Sequence, residues 1–257
     1  MTLLFDTQNL FVRALRKLVR NPILIFFSLF QPIIFLLLFT QLFHSFNLLP
    51  GFPKGVSYLQ YVAAGILLQN AFSSALQAGT SIVDDLNYGF LQKMLVTQVS
   101  RPAILLGRLS SDAFRVTVQS IIILALAYVL GFRVATGIPG ILVMLFIIAF
   151  FGLAWSGISL ALGMRTRSAE TVFGIGGFLT FPLLFMSTAL VPVSFMPSWM
   201  QDVSDVNPIS YAVNAVRDLS LPNYYSINAV LSSIGVIALI AVITMSATLY
   251  LFRKVVS

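Results

Sequence analysis

Long apolar runs separated by short polar interruptions set the plan of this chain. Six runs, at about 22–46, 58–83, 112–131, 138–163, 169–190 and 226–252, read as helices that cross a hydrocarbon core of about 30 Å. Two other stretches follow a different pattern. Over 6–21, Arg13, Arg16, Lys17 and Arg20 recur at i, i+3, i+4 and i+7, opposite Leu10, Phe11, Ala14, Leu15, Leu18 and Val19. Such a helix lies in the membrane surface, its cations on anionic headgroups. The apolar run that follows is too long for the core of a signal peptide. Over 191–225, Pro192, Pro197, Pro208 and Pro222 break the chain into two short helices, one opening at Pro197-Ser198 and one at Asn207-Pro208. They are too short and too polar to be further spans, so they are expected to dip into the outer leaflet. The expected fold is all-α and integral to the membrane, one transmembrane domain over 1–257.

The longest polar interruption on the basic side runs from Asp84 through Lys93 to Arg108. Asp84 suits a helix cap, and Asp85 suits the positive end of the helix dipole. Leu86, Phe90 and Met94 then fall at fourfold spacing, with Leu91 and Leu95 beside them. This predicts a short amphipathic helix at 85–96, with Gly89, Gln92 and Lys93 on its polar side. The residues alone fit two roles: a helix on lipid headgroups, or a knob that docks a soluble partner.

The second run is unusually polar for a span. Gln69, Ser73, Gln77 and Thr80 line one side, flanked by Asn70, Ser74 and Ser81. Polar side chains in lipid need partners, so this side faces protein or water. Interhelical bonding and a lining for a substrate path both satisfy that, and Gln69, Asn70, Ser73 and Gln77 are the candidate path residues. Arg108, Asp112 and Arg115 form a charge cluster at the expected start of the third span. Ala149, Gly152, Ser156, Ser159 and Gly163 make a small-residue stripe that lets another helix approach closely. In the fifth span Ser168 is the expected cap, and Gly174, Gly176, Gly177 and Pro182 suggest a bent or closely packed helix.

Composition agrees with a membrane protein: 58% hydrophobic and 9% charged residues, with a mean hydropathy of +0.96. The net charge of +7 is better read as a topology signal than as a nucleic-acid surface. Twelve Lys and Arg fall on the side that holds both termini, against Lys54, Arg133 and Arg217 opposite. That bias places both termini in the cytoplasm, the 84–108 stretch with them, and residues 191–225 outside. There is no cysteine, which excludes thiol chemistry and thiolate metal sites, and no cluster of metal ligands surrounds His44, the single histidine, so no metal site is expected. No phosphate loop, nucleophile elbow or zinc-protease motif occurs. The acidic residues sit near span ends or in loops, so no buried carboxylate relay is expected for proton coupling. The chain reads as half of a machine driven from outside.

Four stretches carry a family resemblance. They are the basic helix ending Arg20-Asn21-Pro22; Gly89-Phe90-Leu91-Gln92-Lys93-Met94-Leu95 with Val99-Ser100-Arg101 and Gly107-Arg108; Pro192 to Trp199; and Asn207-Pro208 through Arg217. In this order they resemble the membrane subunit of type-two ABC exporters, near the daunorubicin-resistance and nodulation-factor branch. Thr97-Gln98-Val99 departs from that pattern, since relatives often carry a proline there.

The resemblance implies a permease without a catalytic residue or cofactor of its own. ATP and magnesium would sit on two copies of a separate ABC ATPase, and a second permease copy would complete a homodimer or heterodimer in the cell membrane. Residues 85–96 would be the coupling helix, with Asp85, Leu86, Gly89, Phe90, Lys93, Met94 and Arg101 as candidate coupling residues. Residues 6–21, with Arg13, Arg16, Lys17 and Arg20, would be the connecting helix. The expected cargo is an amphiphilic drug, lipid or glycolipid. Export of a lipid-linked polysaccharide, an ATP-independent channel or secondary transporter, and a membrane anchor or sensor are the alternatives.

Overall fold

The computed structural model describes residues 3–20, 22–96, 99–222 and 225–256. Asn21, Thr97 and Gln98 lie outside the described residues, as do the side chains of Lys17 and Arg101. Among the described residues there are ten α-helices and no strand. In chain order they are α1 (Leu3–Val19), α2 (Pro22–Leu42), α3 (Tyr58–Asn87), α4 (Phe90–Leu95), α5 (Arg101–Val129), α6 (Gly137–Thr166), α7 (Ala169–Phe185), α8 (Ser198–Val206), α9 (Pro208–Ser220) and α10 (Ile227–Val256).

Four helices are long and apolar enough to cross a membrane, over Ile25–Leu42, Pro102–Val129, Gly137–Thr166 and Ile227–Lys254. The remaining two expected spans differ from these for separate reasons. α3 has the length, at 30 residues, but polar side chains dilute its apolar character. It is the most enclosed helix, buried along most of its length, and a helix walled by protein needs no lipid-compatible surface. α7 is apolar but has only 17 residues, which at 1.5 Å each is roughly 25 Å, short of a core of about 30 Å. It stops at Phe185, beyond Pro182, and a turn over Met186–Leu190 replaces the helix expected to reach 190.

Two local expectations are corrected. Asp84 and Asp85 do not open a new helix, because α3 runs straight on to Asn87 and holds them in its last turn. The break falls at Gly89, whose φ of +68° is a left-handed conformation that glycine adopts without a Cβ clash. The expected helix at 85–96 is therefore the end of α3 plus the six-residue α4. Likewise α5 begins at Arg101, with Pro102 in its first turn, not at 112. Arg108, Asp112 and Arg115 lie well inside it instead of marking its start.

The small-residue stripe of α6 is where helices meet most closely. Ser159 Oγ accepts from Gly79 N at 3.1 Å and donates to Leu76 O at 3.0 Å, tying α6 to α3. A Cβ on Gly79 would collide with Ser159, and one on Gly163 with the Gly79 carbonyl. On its other side α6 receives α10: Thr244 Oγ1 donates to Ala154 O at 2.8 Å and Thr248 Oγ1 to Gly157 O at 2.7 Å. Such interhelical bonds average only about 0.6 kcal/mol in a bilayer, so the close contact itself supplies much of the hold. Phe72, Phe151 and Trp155 stack at the centre, with Phe72 and Trp155 centroids 4.3 Å apart. A smaller apolar cluster, including Leu86, Leu91, Met94, Ile104, Leu105, Leu109 and Phe252, sits around α4.

The proline-punctuated segment folds as two short helices, α8 and α9. Asn207 caps α9, its Oδ1 accepting from Ile209 N at 3.0 Å, as expected. Its Nδ2 also donates to Leu183 O at 2.7 Å and Met186 O at 3.2 Å, satisfying carbonyls freed at the end of α7. One side chain thus starts α9 and finishes α7.

Candidate functional site

Three polar regions could carry function. The first surrounds α4. Leu91 and Met94 turn inward, and Leu86 at the end of α3 is buried beside them. Two candidate coupling residues, Leu86 and Met94, are therefore spent on the chain's own packing. Tyr88, at 82% exposure, Val96, at 88%, and the exposed Asn87, Gln92 and Lys93 form the outward surface. Behind them the knob is braced. The Arg13 guanidinium stacks 3.5 Å from the Phe90 ring centroid, a cation–π contact between α1 and α4. Burial lowers the Arg13 pKa while Asp85 raises it; guanidinium basicity leaves the group charged in either case. Asp85 pairs with Arg108 of α5, which also donates to Ser81 O and Oγ, each at 3.1 Å. Of the two pairings that the charge cluster allowed, the one at spacing three forms, Asp112 with Arg115 at 3.1 Å, while Arg108 turns to Asp85. Arg16 and Arg20 are exposed.

Two contacts here were not anticipated. Asp6 is 3% exposed, and its Oδ2 accepts from Ser100 N, the cap of α5, at 3.3 Å. Gly107 abuts α1 so closely that a Cβ would press on Leu10 Cβ and the Thr7 carbonyl. Asp6 sits between apolar Phe5 and the amphipathic repeat and looks like an ordinary surface carboxylate, so its partner is invisible in sequence.

The second region is the polar side of α3. Ser74 Oγ donates to Gln119 Oε1, and Gln119 Nε2 donates to Ser28 Oγ at 2.8 Å, joining α3, α5 and α2. Arg115 reaches Ser74 O at 2.7 Å and Gln77 Oε1 at 3.3 Å. Gln77 and Ser73 are half-buried, while Gln69 and Asn70 are fully buried. Gln69 Oε1 and Asn70 Nδ2 have no partner among the described residues. Interhelical bonding thus accounts for Ser74 and Gln77, and leaves Gln69 and Asn70 with unfilled bonding capacity at the centre of the bundle.

The third region, at the opposite end of α3 from α4, centres on Arg217 of α9. By sequence Arg217 is one of three charges on the sparser side and the last residue of the stretch Asn207-Pro208 through Arg217 that carries the family resemblance. It is 6% exposed. Its guanidinium lies 3.6 Å from the Tyr61 ring centroid. It donates to Thr188 O at 2.6 Å, to Tyr61 O at 3.3 Å from both Nε and Nη2, and to Asn214 Oδ1 at 3.0 Å. Tyr61 and Tyr58 hydroxyls bond the carbonyls of Thr188 and Leu190 at 3.1 and 3.0 Å. Gly65 admits the Ala189 carbonyl where a Cβ would clash. Burial lowers the Arg217 pKa, opposed by Tyr61 and Asp218. A signal existed: Arg217 is four residues after Val213, on the face shared by Ile209, Ala212 and Val216, so the sequence placed a cation on an apolar face. Beside this node a cleft of about 270 Å³ is lined by Thr188, Ser204, Asp205, Ser210, Tyr211 and Asn214.

Comparison with known proteins places these features in a family. Residues 6–221 match the family model described as ABC-2 type transporter. The chain is 32% identical over 237 residues to a daunorubicin resistance ABC transporter permease protein of Streptomyces coeruleorubidus, covering 91% of this chain and 82% of that one. It is 32% identical over 230 residues to a putative transport permease of Cyanophora paradoxa, covering 85% and 76%. It is 26% identical over 200 residues to nodulation protein J of Rhizobium meliloti, covering 76% and 72%. The matched region contains the α1–α4–α5 platform, the α3 axis and the Arg217 node, and the chain belongs to the ABC-2 type transporter family.

Proposed function

We propose that this chain is the permease subunit of an ATP-driven exporter of amphiphilic small molecules, powered by a separate ABC ATPase. In this reading α2, α3, α5, α6, α7 and α10 make six crossings, with both termini in the cytoplasm. α1 lies on the cytoplasmic membrane surface, and α8 and α9 face outward. Two ATPase copies and a second permease copy, identical or a sister chain, complete the machine. Relatives named for daunorubicin resistance and for nodulation support an amphiphilic cargo. The unfilled polar groups of Gln69 and Asn70, with Ser73 and Gln77, would meet cargo or water as the helices part.

The single observation that carries the reading is the build of α4. Its inner side is packed and braced by Arg13, Asp85 and Arg108, while Tyr88, Gln92, Lys93 and Val96 are presented outward. A rigid knob with a free mixed surface can receive force from a partner and pass it to α3 and α5. Tyr88→Asp combined with Val96→Asp alters only exposed positions, so the chain is expected to insert and fold while the ATPase no longer co-purifies. Unchanged recovery of the ATPase with this double variant would remove α4 as the docking element.

A further inference from the structure

The Arg108 guanidinium is used unevenly. Its Nη2 carries three contacts, to Ser81 O, Ser81 Oγ and Asp85 Oδ2, while Nη1 is buried and makes no hydrogen bond among the described residues. One turn further along α5, Asp112 is its complement. Asp112 Oδ1 meets Arg115 Nη2 at 3.1 Å, and Oδ2 is buried with no partner among the described residues. Arg115 Nε is idle as well, but Arg115 is anchored across the seam by Ser74 O and Gln77 Oε1 on α3. An idle donor on Arg108 and an idle acceptor on Asp112 therefore stand four residues apart on one helix. That spacing brings Cβ atoms within roughly 5–6 Å, well inside the reach of an arginine. Buried polar atoms without partners are rare in native folds, and two complementary ones at bonding range need an explanation.

In the structure Asp85 wins the arginine for two reasons. Ser81 reinforces the pair from the same helix. A cation followed four residues later by a carboxylate also runs against the helix dipole, so Asp112 is the weaker partner. Asp85 lies in the last turn of α3, just before the left-handed Gly89 at which α4 turns off. Thrust on α4 acts first on this turn, and tilting it withdraws Asp85 from Arg108. The guanidinium then swings along its own helix and gives Nη1 to Asp112 Oδ2. Asp112 bridges Arg108 and Arg115, and no charge is stranded in the seam. Asp85, half-buried at the end of α3, is released toward solvent with the Arg13 charge close by. We infer that Asp112 is a second seat for Arg108, taken when α4 is pushed, and that it is a positioning residue of the stroke from α4 to α5. The inference deepens the docking role proposed for α4 and rests on it for the thrust; the second seat itself belongs to the chain alone.

The second seat is tested on the full chain in lipid nanodiscs, by thermal melting. Asp112→Asn loses the pair with Arg115 in every background, so that loss cancels in a comparison. In the Asp85→Asn background Arg108 has already moved to Asp112, and the same substitution breaks that pair too. Asp112→Asn is therefore expected to lower Tm by about 2 °C more in Asp85→Asn than in the wild type, an excess that vanishes once Arg108→Gln is added. Equal shifts in the two backgrounds overturn the inference. The stroke is read on the complex with the ATPase, with daunorubicin as the cargo probe. Asp112→Asn leaves the exposed Tyr88 and Val96 untouched, so the ATPase is expected to co-purify as before. Cargo-stimulated ATP turnover is expected to fall about threefold, the weight of one partly buried ion pair on a two-state equilibrium, and Asp112→Glu to restore it. Unchanged turnover in Asp112→Asn overturns the role in the stroke. A wild-type chain that neither binds nor stimulates the ATPase, together with the excess melting shift, sinks the docking reading and keeps the second seat.

Discussion

At the α4 end of the bundle, Arg108 meets a carboxylate, Asp85, and both side chains keep some contact with solvent, at 16% and 13% exposure. At the α9 end, Arg217 is buried, its hydrogen bonds go to carbonyls and an amide oxygen, and its guanidinium stacks on the face of Tyr61. The difference is one of adaptability. A partly solvated ion pair can lengthen, take in water and re-form at small cost. A buried guanidinium held by several fixed acceptors has no such intermediate, since any displacement strands a charge away from water. The α4 end thus tolerates displacement of its ion pair, and the α9 end is held fast on α3.

The largest effect is expected from breaking the α9 end. Arg217→Lys keeps the charge but loses the planar fork that makes hydrogen bonds to three acceptor atoms at once, and a poorly bonded buried ammonium should destabilise the protein by about 3–5 kcal/mol. Arg217→Met keeps the stem and removes the need to solvate a charge, so its cost should be smaller, about 1–3 kcal/mol. Thermal unfolding in nanodiscs should therefore rank wild type above methionine above lysine. Lysine above methionine would mean that charge, not geometry, holds α9.

A smaller effect is expected at the α4 end. A double-mutant cycle on Asp85→Asn and Arg108→Gln should give a coupling of about 1 kcal/mol, near the top of the range for partly exposed pairs. Its larger consequence should be a fall in cargo-stimulated ATP turnover by the assembled complex. A coupling equal to the Arg217 losses would erase the contrast between the two ends.

The smallest effect is a pH dependence confined to α9. Burial raises the Asp218 carboxyl from its ordinary value to about 6, with Arg217 pulling the other way. The folded state then holds a proton that the unfolded chain has already released, so stability falls as pH rises between about 4 and 6 and is lowest above that window. Melting at pH 5 should exceed melting at pH 7, and Asp218→Asn should flatten that part of the profile. An unchanged profile in the variant would assign the pH response to another group.

Periodicity and proline placement made the helices legible, because apolar runs and helix starts are local properties. Ser168 accepts from Thr171 N at 3.1 Å, and Asn207 caps α9, both as their positions at helix starts required. The α6 stripe was legible for the same reason, since only small residues permit the approach seen between Gly163 and Gly79. Pairing was legible only along one helix: Asp112 meets Arg115 three residues on, as the cluster allowed, but Arg108, four residues from Asp112, pairs with Asp85, 23 residues away. Leu86 and Met94 had the right spacing for an apolar face, yet spacing cannot say whether that face serves a partner or the chain's own core. The left-handed turn at Gly89 that divides the expected helix also escaped, because an isolated glycine fits both a helix side and a helix break.

The sequence by itself determined that the chain is helical, apolar and basic at one end, and that it carries a family pattern from α1 to α9, because hydropathy, charge and spacing are written residue by residue. Only the tertiary structure decided which polar groups are consumed and which are offered. It turned Arg217 inward onto carbonyls and left Tyr88 and Lys93 exposed around α4. The physical reason is that a hydrogen bond or a buried charge takes its meaning from the partner across the fold, and those partners lie up to 156 residues away along the chain.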